Sequence, residues 1–373
     1  MTKKSRLIIL LICAACFLAA APVLIAYSMG YRVDFETMKI SATGGIYVKT
    51  SPTADQITID SKISQKPGIF NNAVFVQSLL PKNHTVLIIK TGYYDYSKTL
   101  PVKEKEVTKL ESVLLFKKDI IFGTLTDKTL SPFLPSNQQK KFIIKNNNLY
   151  YSAAPENASL TATEKNTPVI KNLAAFETSN NNIIWLSTAG VLYQSDPTGK
   201  NPVKLALNVL KIDINRIFKI LIYGQNIFVN NNGELLLLNK KTENLDSFAP
   251  QIKDGKISPD GKSIVYFTGR QIYISVLSDE THKKVLLYKS SENINYLFWM
   301  NDNYIIFAAG NKIMISEIDY RGNVNIITLP DAINLIDGKT INIKSPQIFL
   351  NQSDNKLYIL TQNIVLVSEK LTQ

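Results

Sequence analysis

Cysteine is scarce in this chain. Of 373 residues only two are cysteines, Cys13 and Cys16, and both lie inside the first apolar segment. The remaining sequence therefore has no cysteine with which to form a disulfide, so a domain outside the cytoplasm depends on its core for stability. The C-x-x-C spacing is typical of thioredoxin-like redox sites, but no βαβ pattern surrounds it. We interpret both residues as small apolar side chains of a helix.

Histidine is equally scarce, which excludes several kinds of catalytic site. His84 and His282 are the two histidines of the chain. Neither has neighbours in the sequence at the spacing of a metal site or of a Ser-His-Asp arrangement. No glycine-rich nucleotide-binding loop follows a strand and opens a helix. We therefore expect no cofactor, no metal and no catalytic residue.

The charge of the chain is basic but diffuse. The formal net charge is +12, with 45% hydrophobic and 19% charged residues, which is an ordinary globular composition. Most of the positive charge comes from scattered lysines, and no basic cluster alternates with aromatic residues as in a nucleic-acid-binding sheet. We expect no nucleic-acid partner.

A single long hydrophobic run lies at the amino end. Residues 7–27 carry no charge and would span about 31 Å as a helix, close to the hydrocarbon thickness of a bilayer. Lys3, Lys4 and Arg6 precede the run and favour a cytoplasmic amino terminus. We predict a cytoplasmic stub at 1–6, a single transmembrane helix at 7–27 and a juxtamembrane linker at 28–42.

The alternative is a cleaved signal peptide. Its apolar region would be shorter, and the small residues at Ala19 to Ala21 would provide the cleavage site. The apolar run continues beyond them through Val23, Leu24 and Ile25. An uncleaved, single-pass anchor in the cytoplasmic membrane is therefore the favoured interpretation, with the following domains outside.

The pattern of residues 43–117 predicts a small β-domain. Short apolar runs alternate with turn residues, and no stretch has helical periodicity. The segment "HTVLIIKTGYYDYSKTLPV" predicts a hairpin with its turn at Thr91-Gly92. Alternation places Tyr94 and Tyr96 on one face of its second strand and Tyr93 on the other.

The order of short motifs in this region resembles the PEGA domain, a small β-sandwich of envelope and surface proteins. The matching pieces are Ser51-Pro52-Thr53-Ala54, Asp60-Ser61-Lys62, Leu80-Pro81-Lys82-Asn83-His84 and Gly92-Tyr93. Ser61 and Asn83 stand where the family usually has glycine, and "GIFNNAVFVQS" is an insertion relative to it.

The resemblance implies structural roles for most of the motif residues: Pro52, Ala54, Asp60, Pro81, His84, Gly92 and Tyr93. Gly92 would permit a turn of positive φ, and Tyr93 would pack on the small sheet. Tyr94 and Tyr96 are instead candidate ligand contacts, because flat exposed rings stack on the sugars of a cell-wall polymer.

The region 118–373 contains a repeat. Six segments share the pattern of apolar strand, polar turn and second apolar strand, with anchor residues Tyr150, Tyr193, Leu236, Tyr273, Met314 and Tyr358. The period is about 42 residues, which is typical of β-propeller blades. We predict six blades, or seven if "DIIFGTLTDKTL" belongs to an extra or shared blade. A pair of irregular β-sandwiches is the alternative.

One turn of the repeat region supports this interpretation. The segment from Ser258 through Pro259, Asp260 and Gly261 to Ile264 resembles the Ser-Pro-Asp-Gly-Lys-x-Ile turn of TolB-type and WD-related propeller repeats. It lacks the succession of acidic side chains that a calcium site needs. We assign Pro259, Asp260 and Gly261 a structural role.

These observations together predict an all-β chain behind one transmembrane helix. The expected function is that of a membrane-anchored, extracytoplasmic binding or scaffold protein without catalytic activity, whose partner is an envelope protein or a cell-wall glycan. The functional step rests on the fold, because propellers host both scaffolds and enzymes. The alternative is an anchored glycoside hydrolase or lyase, in which two distant carboxylates meet in the propeller channel.

Overall fold

The computed structural model describes residues 3–68, 72–125, 142–151, 167–179, 181–213, 216–231, 233–278, 281–351 and 354–371. One helix at the amino end is followed by strands throughout the described ranges. The chain forms two compact units. The first comprises residues 1–120 together with 319–325 and 371–373, and the second comprises 121–318 and 326–370.

The helix α1 extends over Lys3–Ser28. Its segment Ser5–Ser28 contains an 18-residue stretch with a mean hydropathy of 2.9, and that stretch is not buried against the rest of the protein. It is therefore long and apolar enough to cross a membrane, as either an anchor or a signal sequence would be. The helix begins and ends slightly beyond the predicted span of 7–27.

The region predicted as a linker, 28–42, contains a hairpin. Strand β1, Tyr31–Asp34, pairs antiparallel with β2, Lys39–Ala42. Its start is tied to the helix end, because the Arg32 guanidinium lies 3.6 Å from the Tyr27 ring centroid and donates a hydrogen bond to the Tyr27 carbonyl. Such local contacts are hard to read from a short sequence with mixed composition.

Two further sheets build the first unit. Their strands are β3 Gly44–Ser51, β4 Gln56–Ile59, β5 Ile63–Gln65, β6 Ala73–Leu79, β7 Asn83–Ile89, β8 Tyr96–Pro101 and β9 Val107–Leu114. One sheet has the order β6-β3-β9, with β3 parallel to β9, and the other has the order β5-β4-β7-β8.

Both sheets contribute to one hydrophobic cluster. It includes Ile46 and Val48 from β3, Ile57 from β4 and Val86 from β7, all at most 1% exposed. Burying each of these side chains stabilises the fold by about 1.5–3 kcal/mol. Alternation along β7 and β8 produces this arrangement, since every second side chain points to the same face.

The segment expected to be an insertion supplies a strand of this core. β6 pairs antiparallel with β3, and Val74 and Val76 are buried in the cluster. Residues 69–71, which follow Gly68 at the start of that segment, lie outside the described residues. The insertion is thus an integral part of the first unit.

The second unit consists of short strands in sequence. They are β10 Phe122–Leu125, β11 Phe142–Lys145, β12 Asn148–Tyr151, β13 Leu173–Ser179, β14 Asn182–Ser187, β15 Leu192–Ser195, β16 Val203–Lys204, β17 Lys219–Tyr223, β18 Asn226–Asn230, β19 Glu234–Asn239, β20 Asn244–Pro250, β21 Asp254–Ile257, β22 Ser263–Phe267, β23 Gln271–Val276, β24 Lys284–Lys289, β25 Ile294–Asn301, β26 Tyr304–Ala309, β27 Lys312–Glu317, β28 Ile326–Thr328, β29 Ala332–Asn334, β30 Thr340–Asn342, β31 Gln347–Asn351, β32 Lys356–Thr361 and β33 Ile364–Lys370.

Their pairing is that of a β-propeller. Four sheets are consecutive antiparallel meanders, β13-β14-β15-β16, β17-β18-β19-β20, β21-β22-β23-β24 and β25-β26-β27-β28. First strands of neighbouring sheets contact one another, as β13 does with β17 and β17 with β21. A propeller arranges its sheets radially in this way, with the first strand of each sheet innermost. The hairpins β11-β12 and β29-β30 form separate two-stranded sheets.

The last four-stranded sheet closes the unit. It has the order β10-β33-β32-β31, so the earliest strand of the unit is hydrogen-bonded to the final one. The segment "DIIFGTLTDKTL" therefore contributes to a shared sheet through Phe122–Leu125. Its last five residues, 126–130, lie outside the described residues.

Residue types explain the strand and turn positions. All residues of β22 and β26 are buried, because inner strands of a propeller sheet are covered by neighbouring sheets on both faces. Tight turns join other strands of the unit: Asn146 and Asn147, between β11 and β12, both have positive φ, as do Gln362 and Asn363 between β32 and β33. Two successive positive-φ residues match the right-handed twist of a tight hairpin.

Candidate functional site

Asp60 and His84 of the PEGA-like motifs are hydrogen-bonded to each other. Asp60 adopts φ +52° in the turn after β4, and its carboxylate accepts the Thr85 amide hydrogen at 2.9 Å. Its other oxygen lies 2.6 Å from His84 Nδ1, while His84 Nε2 lies 2.8 Å from the Leu80 carbonyl oxygen. Burial acts to raise the pKa of Asp60, but the Thr85 amide and His84 outweigh it and hold that pKa below its usual value.

The other motif residues occupy turns and core positions of the first unit. Ala54 is buried in the hydrophobic cluster, and its amide donates to the Thr50 hydroxyl. Pro52 follows a cis peptide bond, and Pro81 is partly buried immediately before β7. Gly92 has φ +79° at the predicted turn.

The three tyrosines of the hairpin have different environments. Tyr93 is partly buried and packs against the hydrophobic cluster. Tyr94 is also partly buried, and burial together with the charge of Asp119 raises the pKa of its hydroxyl. Tyr96 is only 4% exposed within the cluster itself. The expectation that Tyr96 offers its ring to a ligand is therefore wrong, because that face of β8 points into the core.

The turn containing Pro259, Asp260 and Gly261 is a hydrogen-bonded corner. The Asp260 carboxylate accepts hydrogen bonds from the Ser258 hydroxyl and from the Lys262 amide, at 2.7 and 3.0 Å. Although burial acts to raise the pKa of Asp260, these hydrogen bonds hold it below its usual value. Gly261 has φ +68°, and a Cβ there would lie 1.7 Å from the Tyr223 ring. A side chain at this position would have to displace the Tyr223 ring and adopt a positive φ.

Clustered metal ligands are not found in the described part of the chain, where no three His, Cys, Asp or Glu side chains come together. A cavity of about 490 Å³ does occur in the second unit, between the sheet β17-β18-β19-β20 and the sheet β21-β22-β23-β24. We refer to it as the cationic pocket, after its described lining residues Lys240, Lys241, Lys284, Asp246, Phe248 and His282.

Lysines and an aromatic surface define the cationic pocket. Lys284 Nζ lies 5.1 Å from the centroid of the Phe248 ring, and the His282 ring meets the same phenyl edge-on with centroids 6.0 Å apart. The Asp246 carboxylate accepts a hydrogen bond from Asn239 Nδ2 at 2.8 Å. Three lysines and one carboxylate stand among its described lining residues, and this described part of the wall is suited to an anionic group.

One polar atom in the pocket stands out. His282 Nδ1 is buried and has no hydrogen-bond partner among the described residues. Its residue also adopts φ +45°, a conformation that is uncommon outside glycine. A buried polar atom without a partner costs stability, so a bound group that supplies the hydrogen bond would be favoured here.

Sequence reasoning did not identify these pocket residues. In the sequence His282 has no neighbours at the spacing of a metal or catalytic site, and Lys240, Lys241 and Lys284 are part of the scattered positive charge. The available signal was positional, because Lys240 and Lys284 lie about one repeat length apart and so fall in corresponding regions of consecutive sheets.

Comparisons with known proteins concern the fold. No protein-family model and no curated protein matches the sequence. A solved structure of YCF48 bound to D1 peptide is 10% identical, with 87% of this chain and 94% of that chain covered and a TM-score of 0.38. YCF48 from Cyanidioschyzon merolae is 14% identical, covering 52% of this chain and 65% of its own, with a TM-score of 0.35. Hsv2 from Kluyvelomyces marxianus is 14% identical over 56% of this chain and 62% of its own, with a TM-score of 0.39.

Proposed function

We propose that this chain is a membrane-anchored binding protein of the cell envelope, and that its propeller holds an acidic segment of a partner protein. The role is non-catalytic. The anchor would be α1, the first unit a PEGA-like spacer and the second unit a propeller of six blades, each formed around one of the six hairpins.

The membrane part of the proposal is supported by α1. The apolar stretch within its segment Ser5–Ser28 is not buried by any described part of the chain. Lys3, Lys4 and Arg6 belong to the amino end, which the positive-inside rule keeps in the cytoplasm. Both units would then lie outside the cytoplasmic membrane.

The composition of the cationic pocket carries the binding part of the proposal. Lys284 has an aromatic contact but no hydrogen-bond acceptor among the described residues, and His282 Nδ1 is buried without a partner. A carboxylate side chain supplies acceptors for both groups, since lysine donates and a ring N–H donates. The cavity volume of about 490 Å³ accommodates more than one side chain of a peptide.

The alternative of an anchored glycoside hydrolase or lyase has less support. Glycoside hydrolysis generally needs two carboxyl groups facing one bond. Among the described residues that line the cationic pocket, Asp246 alone is acidic, and it is hydrogen-bonded to Asn239. No observation favours the enzyme over the binding protein.

Peptide binding to the detergent-solubilised full chain tests the proposal. A short alternating Glu-Ser peptide should bind, and affinity should fall as salt is raised, whereas a Gln-Ser peptide of equal length should not bind. The combined substitution Lys240→Gln, Lys241→Gln and Lys284→Gln should weaken binding about tenfold, because each partly exposed charge contributes up to about 1 kcal/mol.

The matched control replaces three exposed lysines of the same unit, Lys171, Lys312 and Lys370, by glutamine. This variant has the same net charge as the pocket variant. If both variants lose affinity equally, binding follows net charge and the pocket is not the site. Equal binding of the two peptides would also contradict the proposal.

A further inference from the structure

A second cavity lies among the innermost strands of the propeller. It has a volume of about 220 Å³ and is lined by residues of β21, β22 and β25 and by the segment before β21, including Lys253, Asp254, Lys256, Tyr296 and Phe298. None of these residues belongs to the cationic pocket. We refer to it as the Lys256 cavity.

Lys256 has an unusual environment for a lysine. Its Nζ lies 3.7 Å from the centroid of the Phe298 ring, and its side chain is partly buried. Among the described residues, no oxygen accepts a hydrogen bond from this ammonium group. Its backbone is fixed, because the Trp299 indole donates to the Lys256 carbonyl at 2.9 Å.

The neighbouring charges do not neutralise Lys256. Asp254, on the same strand, forms its ion pair with Lys219 of β17, at 3.5 Å between Lys219 Nζ and the carboxylate. Lys253 Nζ is directed to the Ile294 carbonyl oxygen, 3.5 Å away. Burial, with a smaller contribution from Lys219, lowers the pKa of Lys256 to about 8, although Asp254 acts in the opposite direction.

A partly buried ammonium with an aromatic contact but no acceptor lacks most of its hydrogen bonds. An anion in the cavity would supply them. The walls include Phe267, Leu297 and Phe298, so a singly charged carboxylate with an apolar body fits better than a strongly hydrated dianion such as phosphate. The volume lies below the range of pockets for drug-sized ligands, which indicates a small molecule.

We infer that the Lys256 cavity binds a small organic carboxylate, with the ammonium of Lys256 contacting the carboxylate and Phe298 and Phe267 contacting its apolar part. The site is independent of the cationic pocket and of the acidic partner segment proposed for it. It adds a small-molecule ligand to a protein whose proposed partner is macromolecular.

Fluorescence of Trp299 provides the test, with benzoate as the probe. The chain has two tryptophans, so Trp185→Phe leaves Trp299 as the reporter beside the Lys256 backbone. In the detergent-solubilised full chain, benzoate should produce a saturable change. Neutral benzamide should produce none, and inorganic phosphate should bind about tenfold more weakly than benzoate or not at all.

Variants of the two lysines locate the binding group. Lys256→Met keeps the length and apolar stem of the side chain and should weaken benzoate binding at least about tenfold, because the charge-assisted hydrogen bond is lost. Lys253→Gln removes an exposed charge from the same cavity and should change affinity less than about threefold. Circular dichroism of each variant verifies that it is folded.

The pH dependence supplies a second readout. The titratable groups that face Lys256 in or beside the cavity are Asp254, Lys219, Lys253 and Tyr296. The pKa of Lys256 itself is lowered to about 8. Benzoate affinity should therefore fall between pH 7 and 9.5 and should not fall in Lys256→Met. The inference is wrong if benzoate does not bind, if benzamide binds equally well, or if Lys256→Met binds benzoate with unchanged affinity.

Discussion

The hydrogen bonds between Asp60, His84 and Thr85 tie the turn after β4 to the start of β7. Asp60 and Ser61 both have positive φ, at 52° and 56°, in a turn where the PEGA pattern usually has glycine at the second position. The backbone strain of a serine there is offset by the two hydrogen bonds that the Asp60 carboxylate accepts.

Replacing Asp60 by asparagine should destabilise the first unit by about 1 kcal/mol, because the side chain keeps its shape and tolerance of positive φ but loses its charge. The sign of the pH dependence follows from the lowered pKa of Asp60. A carboxyl group with a lowered folded-state pKa stabilises the fold above its ordinary value of 3.8, and this contribution is lost as the pH falls below it.

Hydrogen exchange of peptides from residues 43–117 measures this effect within the first unit. The wild type should lose protection near Asp60 as the pH falls through the acidic range, and Asp60→Asn should show a smaller loss. Asp95→Asn, at an exposed position of the same unit, serves as the control. Identical acid sensitivity in wild type and Asp60→Asn would contradict the prediction.

The burial of the tyrosines could be predicted only in part from the alternation of the sequence. Alternation placed Tyr94 and Tyr96 on one face of the hairpin. However, Tyr96 lies within β8 and is covered by the facing sheet, whereas Tyr94 precedes the strand and is partly buried. A period of two identifies residues that share a face but does not say which face the second sheet covers.

At the scale of elements, the segment Asp319–Asn325 is notable because it belongs to the first unit although it follows β27 in sequence. The Lys98 side chain is fully buried and donates to the carbonyl oxygens of Asp319 and Asn323, at 2.7 and 2.9 Å. The Asn323 side chain also bonds to β8, donating to the Ser97 carbonyl and accepting from the Thr99 amide. The segment thereby provides hydrogen-bond partners for polar groups of β8 that would otherwise be hydrated by solvent.

Gly322→Ala should displace this segment. Gly322 has φ +65°, and a Cβ on it would lie 1.8 Å from the Thr99 carbonyl oxygen, which the backbone must move to avoid. We expect the free energy of unfolding to fall by about 3 kcal/mol, and hydrogen exchange to become faster in residues 319–325 and in β8.

Gly92→Ala is the matched control in the same unit. Gly92 has φ +79°, but nothing lies within 4 Å of a Cβ built there, so this substitution costs the backbone strain of about 1 kcal/mol without a collision. If the two alanine variants had the same exchange rates in β8, the close packing of Gly322 would be energetically unimportant.

Elements with strong local patterns were predictable. Each of the six repeated segments forms an antiparallel hairpin, because apolar runs flank asparagine, glycine or aspartate turns. The hairpin β1-β2 and strand β6 were missed. β1 and β2 have mixed composition, and β6 was set aside because it departed from a family pattern, although its own residues alternate.

At the scale of the whole molecule, closure of the propeller depends on β10. Phe122 of this strand is 2% exposed and pairs with Ser368 of β33, and it also forms a parallel bridge to Leu335. Phe122→Ala should therefore lower the stability of the second unit by about 3–5 kcal/mol, as removal of a large buried aromatic side chain does.

Thermal unfolding followed by tryptophan fluorescence measures this loss selectively, since Trp185 and Trp299 both lie in the second unit. Thr124→Ala, at an exposed position of the same strand, should change the stability by less than about 0.5 kcal/mol. Equal unfolding midpoints for Phe122→Ala and the wild type would show that β10 does not contribute to closure.

The repeat predicted the succession of sheets but not the positions of the two cavities. A period identifies equivalent regions of consecutive sheets, but it does not say which of their side chains line a cavity. Lys240 and Lys284 line one cavity because consecutive sheets lie side by side, whereas Lys256 is distinguished by its contact with Phe298 and not by any motif. Such sites depend on packing between sheets, which local patterns do not encode.

Closure by β10 also has a consequence for biosynthesis. During translation β10 is synthesised early, whereas its partners Leu335 and β33 are synthesised late. The strand therefore remains unpaired while the other sheets are synthesised. Unpaired strands recruit other chains, and long apolar ones do so most readily. β10 has only four residues, and two of them are Gly123 and Thr124. Its brevity limits misassembly between nascent chains until the final strand is available.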